Sequence, residues 1–212
     1  MASCCNLGKE LDNKTNILFE TDNFFVTPTI GQMNIEGYLL LCSKKHYLGV
    51  GDIPDKYHNE LEELLENTRK LISSEYNSDT LVFEHGPKVG CFRGGGCLDH
   101  AHLHILPLNY DIITPLITYL FKGLQVKDFY KLERIDDLQR LNEISQEQNS
   151  SYLMVEDAEH KRYVTEVNFF IPSQYLRQIV ASKLERSEIW NWRTHPDYET
   201  FEKTILRLKD KF

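Results

Sequence analysis

A chain of 212 residues, 41% of them hydrophobic, can bury a substantial core as one or two domains. Its net charge of −8, from 24 basic against 32 acidic residues, is the wrong sign for a long nucleic-acid backbone, although a few local donors can still hold a small phosphorylated ligand. No stretch approaches the roughly 18 continuous apolar residues of a membrane span. The start, Met1–Asn6, lacks the basic and apolar regions of a signal peptide. Five cysteines in no framework spacing suit a reducing, cytoplasmic setting.

In chain order, residues 17–26 read as two short strands around an Asp22-Asn23 turn, and Tyr38–Cys42 as a buried strand ending at Ser43-Lys44-Lys45-His46. Ile53-Pro54-Asp55 opens a helix in which Tyr57, Leu61, Leu64, Leu65, Leu71 and Ile72 recur at helical spacing to about Ser74. His58 falls on that helix's surface. Thr80–Glu84 is a further strand. From Glu84 to Cys97 the chain holds five of its eleven glycines and reads as a loop, with His85 either an ordinary loop residue or a member of the site. Such a loop can turn successive N–H groups toward an anion, helped by Lys88 and Arg93, or it can be a plain connector. Cys91 and Cys97 could join histidines around a metal, although Cys-x5-Cys is not a standard zinc spacing.

The run Asp99-His100-Ala101-His102-Leu103-His104-Ile105-Leu106-Pro107 places three of the eight histidines within five residues. On a strand this spacing puts the three imidazoles on one face and leaves Ala101, Leu103 and Ile105 to the core. Imidazoles with pKa values near ~6.5 suit phosphate or metal chemistry better than packing. A neutral imidazole can attack phosphorus and leave again, and His102, with a partner on either side, is geometrically favoured as nucleophile. Its neighbours can then stabilise phosphoryl charge.

After Leu108 the chain reads as largely helical and polar to about 148. A hairpin follows, Tyr152–Val155 and Tyr163–Phe170, across Glu156–Lys161. Pro172-Ser173-Gln174 begins a helix to about Leu184, with Ser173 as its cap. Ser173, Gln174 and Arg177 have two readings: a phosphate site at a helix start with Arg177 as clamp, or a capped helix with an ordinary ion pair. Trp190 and Trp192 read as packing.

Several of these segments together resemble the histidine triad (HIT) superfamily of nucleotide hydrolases and transferases. His-x-His-x-His followed by two apolar residues is its signature. Leu39–His46 is similar to its strand ending in Pro-Lys-Lys-His, with Ser43 in place of proline. The helix from Pro54 and the Gly86-Pro87 turn also match. The resemblance implies an α+β fold: after a tail over 1–14, an antiparallel HIT-like sheet with packed helices over 15–110, then a C-terminal α/β extension over 111–212 packing on it.

For the site, the resemblance implies His102 as nucleophile, with His100 and His104 contacting phosphate or orienting it, and His46 as a fourth histidine. Glu84 stands where members often have a phosphate-contacting Asn or Gln, Gly86 lies in the turn, and Cys97 falls near a Ser or Thr that helps the leaving group. The family's usual Gly-His before the central strand is Gly37-Tyr38 here. The implied activity is hydrolysis or nucleotidyl transfer at the α-phosphate of a nucleotide phosphoanhydride or phosphoramidate, with no cofactor or metal. Minimal members often dimerise, so a homodimer is an expectation too, unless the C-terminal region covers that surface. Two other readings stay open: a metal-dependent hydrolase using the histidines as ligands with Glu84 as carboxylate, and a nucleotide-binding protein without turnover.

Overall fold

A computed structural model of the chain describes residues 16–88, 100–124, 133–147, 149–167 and 171–212. The strands are β1 (Phe19–Glu20), β2 (Phe24–Pro28), β3 (Leu39–Ser43), β4 (Asp79–Gly86), β5 (His102–Leu108), β6 (Glu133–Ile135), β7 (Ser151–Glu156) and β8 (Arg162–Val167). The helices are α1 (His58–Tyr76), α2 (Tyr110–Leu124), α3 (Gln139–Asn142), α4 (Tyr175–Lys183) and α5 (Tyr198–Leu208). Short 3-10 turns at Val50–Asp52 and Asp55–Tyr57 lead into α1.

Among the described residues eight strands form one antiparallel sheet in the order β1-β2-β3-β5-β4-β7-β8-β6. The α+β class and the antiparallel sheet agree with the expectation. The region after residue 110 does more than pack on a finished domain. Strand β7 pairs with β4 from Val82↔Glu156 to Gly86↔Tyr152, so β7, β8 and β6 continue the same sheet.

That pairing also corrects the extent of β4. His85 and Gly86 are strand, not loop, because β7 supplies their ladder partners. Strand β6 was not foreseen, and α2 is less polar than expected: its Ile113, Leu116 and Ile117 are buried. The end of the predicted second hairpin strand, 168–170, lies outside the described residues.

Two cores flank the sheet. On one side Leu61, Leu64, Leu65 and Ile72 of α1 meet Leu39, Leu41, Val82, Leu103 and Ile105. Their spacing of three and four is the apolar stripe of an amphipathic helix, and Asn77 stops α1 in the left-handed conformation with φ 49°. On the other side Ile113, Leu116 and Ile117 of α2 and Leu176, Ile179 and Val180 of α4 cover Leu40, Cys42, Leu81, Phe83 and Leu106. Buried Glu156 of β7, flanked by Arg69 of α1 and Arg162 of β8, ties the two halves of the chain together.

Candidate active site

Strand β5 lies between β3 and β4, with His102 opposite Cys42 and His104 opposite both Leu40 and Phe83. Alternation sends Leu103 and Ile105 to the α1 side and the imidazoles of His102 and His104 to the α4 side. The Phe83 ring stacks on His104 at 4.5 Å, and the His102 ring meets His104 edge-on at 4.7 Å. His100 stands two residues before the strand and is buried like the other two.

The hydrogen bonds assign the protons. A backbone carbonyl only accepts, so the 2.6 Å contact of His102 Nδ1 with the His100 carbonyl requires the proton on Nδ1 and leaves the lone pair on Nε2. His100 Nε2 likewise donates to the Ser43 carbonyl at 2.6 Å. The Nδ1 atom of exposed His46 lies 3.3 Å from His100 Nδ1, with the rings 5.3 Å apart. His104 Nδ1 lies 2.7 Å from the Tyr38 hydroxyl.

Burial keeps the rings of His100, His102 and His104 neutral. It pushes His102 down to about 4, opposed by the His100 carbonyl and aided by the charges of His100 and Arg177. Burial also lowers His100 and holds His104 well below the ordinary imidazole value. The site therefore presents a buried, neutral imidazole with a defined tautomer, beside three further imidazoles.

No protein-family profile and no curated protein matches the chain. Solved structures do. A HIT family protein from Bacillus anthracis overlaps 60% of this chain and 100% of its own, at 17% identity and a TM-score of 0.42. A hypothetical histidine triad nucleotide-binding protein from Sulfolobus tokodaii overlaps 51% of this chain and 69% of its own, at 21% identity and a TM-score of 0.37. A uridylyltransferase overlaps 81% of this chain and 74% of its own, at 11% identity and a TM-score of 0.38. The chain resembles the histidine triad proteins. Identities of 11% to 21% and TM-scores of 0.37 to 0.42 carry nothing about activity to this chain.

The site's geometry separates the residues singled out in the sequence. His46, His100, His102 and His104 lie together. Glu84 does not join them: it points to the α1 side, where Oε1 accepts from the Val50 N–H at 2.6 Å and Oε2 from the Tyr152 hydroxyl at 2.7 Å. Gly86 belongs to the same face, and a Cβ there would stand 2.2 Å from Tyr152 Cζ. The phosphate-contact expectation for Glu84 is thus corrected by strand alternation, since Phe83 and His85 take the histidine side. Cys97 lies outside the described residues, as do Cys91 and Arg93.

The start of α4 also differs from expectation. Ser173 is exposed and does not cap; Gln174 holds the cap position in the left-handed conformation, φ 59°, without a side-chain cap bond. Arg177 is 1% exposed, so its fork is no clamp at an open helix end. It donates from Nε to the Trp190 carbonyl at 3.0 Å, from Nη1 to the Tyr38 hydroxyl at 3.0 Å and from Nη2 to the Gly31 carbonyl at 2.9 Å.

His85, for which a site role was one of two readings, and Tyr38 also stand beside the histidines. His85 is buried, lies edge-on to His104 at 6.3 Å, and accepts the Leu176 N–H of α4 on Nε2 at 3.0 Å. Burial lowers its pKa to about 3. The signal was its place two residues after Phe83, which a longer β4 turns to the histidine face.

Proposed function

We propose that the protein is a nucleotide hydrolase or nucleotidyltransferase that works through a covalent nucleotidyl-histidine at His102. The observation that carries this reading is the 2.6 Å bond from His102 Nδ1 to the His100 carbonyl. It commits one ring nitrogen to the backbone, so the other holds a lone pair at neutral pH in a buried, neutral ring. In the first step Nε2 bonds to the α-phosphorus of the nucleotide, and the bond from phosphorus to the leaving group breaks with its electron pair. In the second, an acceptor oxygen bonds to phosphorus, the N–P bond breaks, and the acceptor's proton is released. Water as acceptor makes a hydrolase; a phosphate or sugar phosphate makes a transferase. His104, in edge-on contact with His102, has Nε2 available for a phosphoryl oxygen, while His100 spends its ring proton on the Ser43 carbonyl.

The metal-hydrolase reading is weaker on geometry. Its carboxylate, Glu84, is on the other face of the sheet. Among the described residues no three His, Cys, Asp or Glu side chains converge in a metal-holding arrangement. Likewise, among the described residues no helix is long and apolar enough to cross a membrane.

The test is incubation with α-labelled dinucleoside polyphosphates and nucleoside phosphoramidates, followed by quenching and peptide mapping. Label is expected on His102, turnover is expected to survive a chelator, and His102→Ala is expected to lose at least about 10³-fold in kcat. A His102→Ala protein with full turnover sinks the proposal. Product analysis then identifies the acceptor.

A further inference from the structure

We infer that Arg177 and Tyr38 form a positioning relay that fixes His104 as its Nε2–H tautomer, so that helix α4 of the C-terminal half sets the proton on the last histidine of the triad. The inference rests on the nucleotidyl-histidine reading, in which a neutral His104 donates from Nε2 to a phosphoryl oxygen.

Proton counting supports it. A guanidinium has only donors, so the 3.0 Å contact of Arg177 Nη1 makes the Tyr38 oxygen an acceptor. The hydroxyl's single proton then has His104 Nδ1 at 2.7 Å as its partner. With Nδ1 accepting, the ring proton of neutral His104 sits on Nε2. The cation over the Tyr38 ring, 5.3 Å from its centroid, favours a hydroxyl that gives its proton away from Arg177. Phe83, stacked at 4.5 Å, holds the plane of the His104 ring.

Arg177 is itself held rigidly. Two further hydrogen bonds end on the Gly31 and Trp190 carbonyls, and a Cβ on Gly31 would stand 2.5 Å from Nη2, so the backbone closes directly on the guanidinium. A buried arginine that merely satisfied carbonyls would account for those two bonds. It would not account for the third, which runs through a tyrosine into the triad. The next residue back in α4 makes a parallel contact, Leu176 N–H to His85 Nε2 at 3.0 Å, which fixes the tautomer of the ring beside His104.

Tyr38→Phe removes one oxygen and leaves the ring packing, so it tests the relay in the full chain. The ¹⁵N shifts of the His104 ring, read without any nucleotide, are expected to show Nε2–H alone in the wild type and a mixture of tautomers in Tyr38→Phe. With a turned-over nucleotide, kcat is expected to fall about 10- to 100-fold with KM within twofold. Arg177→Lys, which keeps one donor near Tyr38, is expected to retain more of the Nε2–H form than Arg177→Met. A His104 that stays purely Nε2–H in Tyr38→Phe overturns the relay, as does an unchanged kcat once the tautomer is lost. Failure to label His102 in the wild type would strike the nucleotidyl-histidine reading, while the tautomer measurement would stand on its own.

Discussion

On the α4 side of the sheet His85, His102 and His104 are buried as neutral bases. On the α1 side Glu84 is buried with its carboxyl pushed up to about 8, by burial first and then by the charge of Asp52, against the bonds from Val50 and Tyr152. The two faces use the same strands, β4 and β5, and bury the same kind of polar cargo. They differ in what the partners do. Around the histidines each identified partner fixes which nitrogen carries a proton, so burial produces a defined reactive form. Around Glu84 the partners are the Val50 turn and the Tyr152 hydroxyl, which itself accepts from the Gly51 N–H at 2.8 Å, so burial clamps a turn to β4 and β7. A perturbed pKa alone does not mark the chemistry; the freedom of the remaining lone pair does.

The two faces pull stability in opposite directions with pH, and the acid side is the larger effect. For the histidines the folded pKa lies below the unfolded value near 6.5: about 3 for His85, about 4 for His102, and lowered for His100 and His104. The unfolded chain therefore binds more protons, so the stability present above pH 6.5 is lost as pH falls through the folded values. His102 alone accounts for about 3 kcal/mol by pH 4. Urea midpoints measured from pH 7 to 4 should fall steeply, and a flat profile over that range would show that the histidines take up protons in the fold as readily as in the unfolded chain.

Next in size is the packing that reserves the opposite face for Tyr152. Gly86→Ala drives a Cβ to within 2.2 Å of Tyr152 Cζ and 2.3 Å of Cε1, in a strand whose partner cannot step back without breaking the β4–β7 ladder. A loss of about 1–3 kcal/mol in unfolding free energy is expected. His102 labelling should persist in the folded fraction, because Gly86 does not share the histidine face. Abolished labelling with unchanged stability would instead make Gly86 part of the nucleotide site.

Much of this arrangement was legible in the sequence, and the exceptions have common causes. Alternation from His100 to Ile105 located the triad, and the stripe Leu61-Leu64-Leu65-Ile72 located α1, because both patterns repeat within one element. His85 and Gly86 were read as loop because their strand is completed by β7, some seventy residues on, and glycine downstream suggested a turn before pairing ended. The role of Arg177 was illegible for a similar reason. Its acceptors, the Gly31 and Trp190 carbonyls and the Tyr38 hydroxyl, come from three separate segments that no local spacing connects. Ser173 has the chemistry of a cap, but the left-handed turn at Gln174 takes the cap position.

The smallest expected effect isolates the α1 face. Glu84 has a folded pKa raised from 4.5 to about 8, so the folded chain holds the extra proton in that window. Its contribution is complete below 4.5 and is lost as pH rises through 8, with a slope of about 1.4 kcal/mol per pH unit. Between 4.5 and 6.5 the histidines outnumber it and the net slope follows them; above 6.5 Glu84 acts alone, which places the stability maximum near pH 6.5 and a decline of up to about 2 kcal/mol by pH 8. Glu84→Gln keeps an acceptor for the Val50 N–H but cannot ionise. Its unfolding free energy should therefore be flat from pH 6.5 to 8 whatever its absolute level, while the acid limb stays intact. If Glu84→Gln kept the alkaline decline, the proton would reside elsewhere, and the two faces would not be separable by pH.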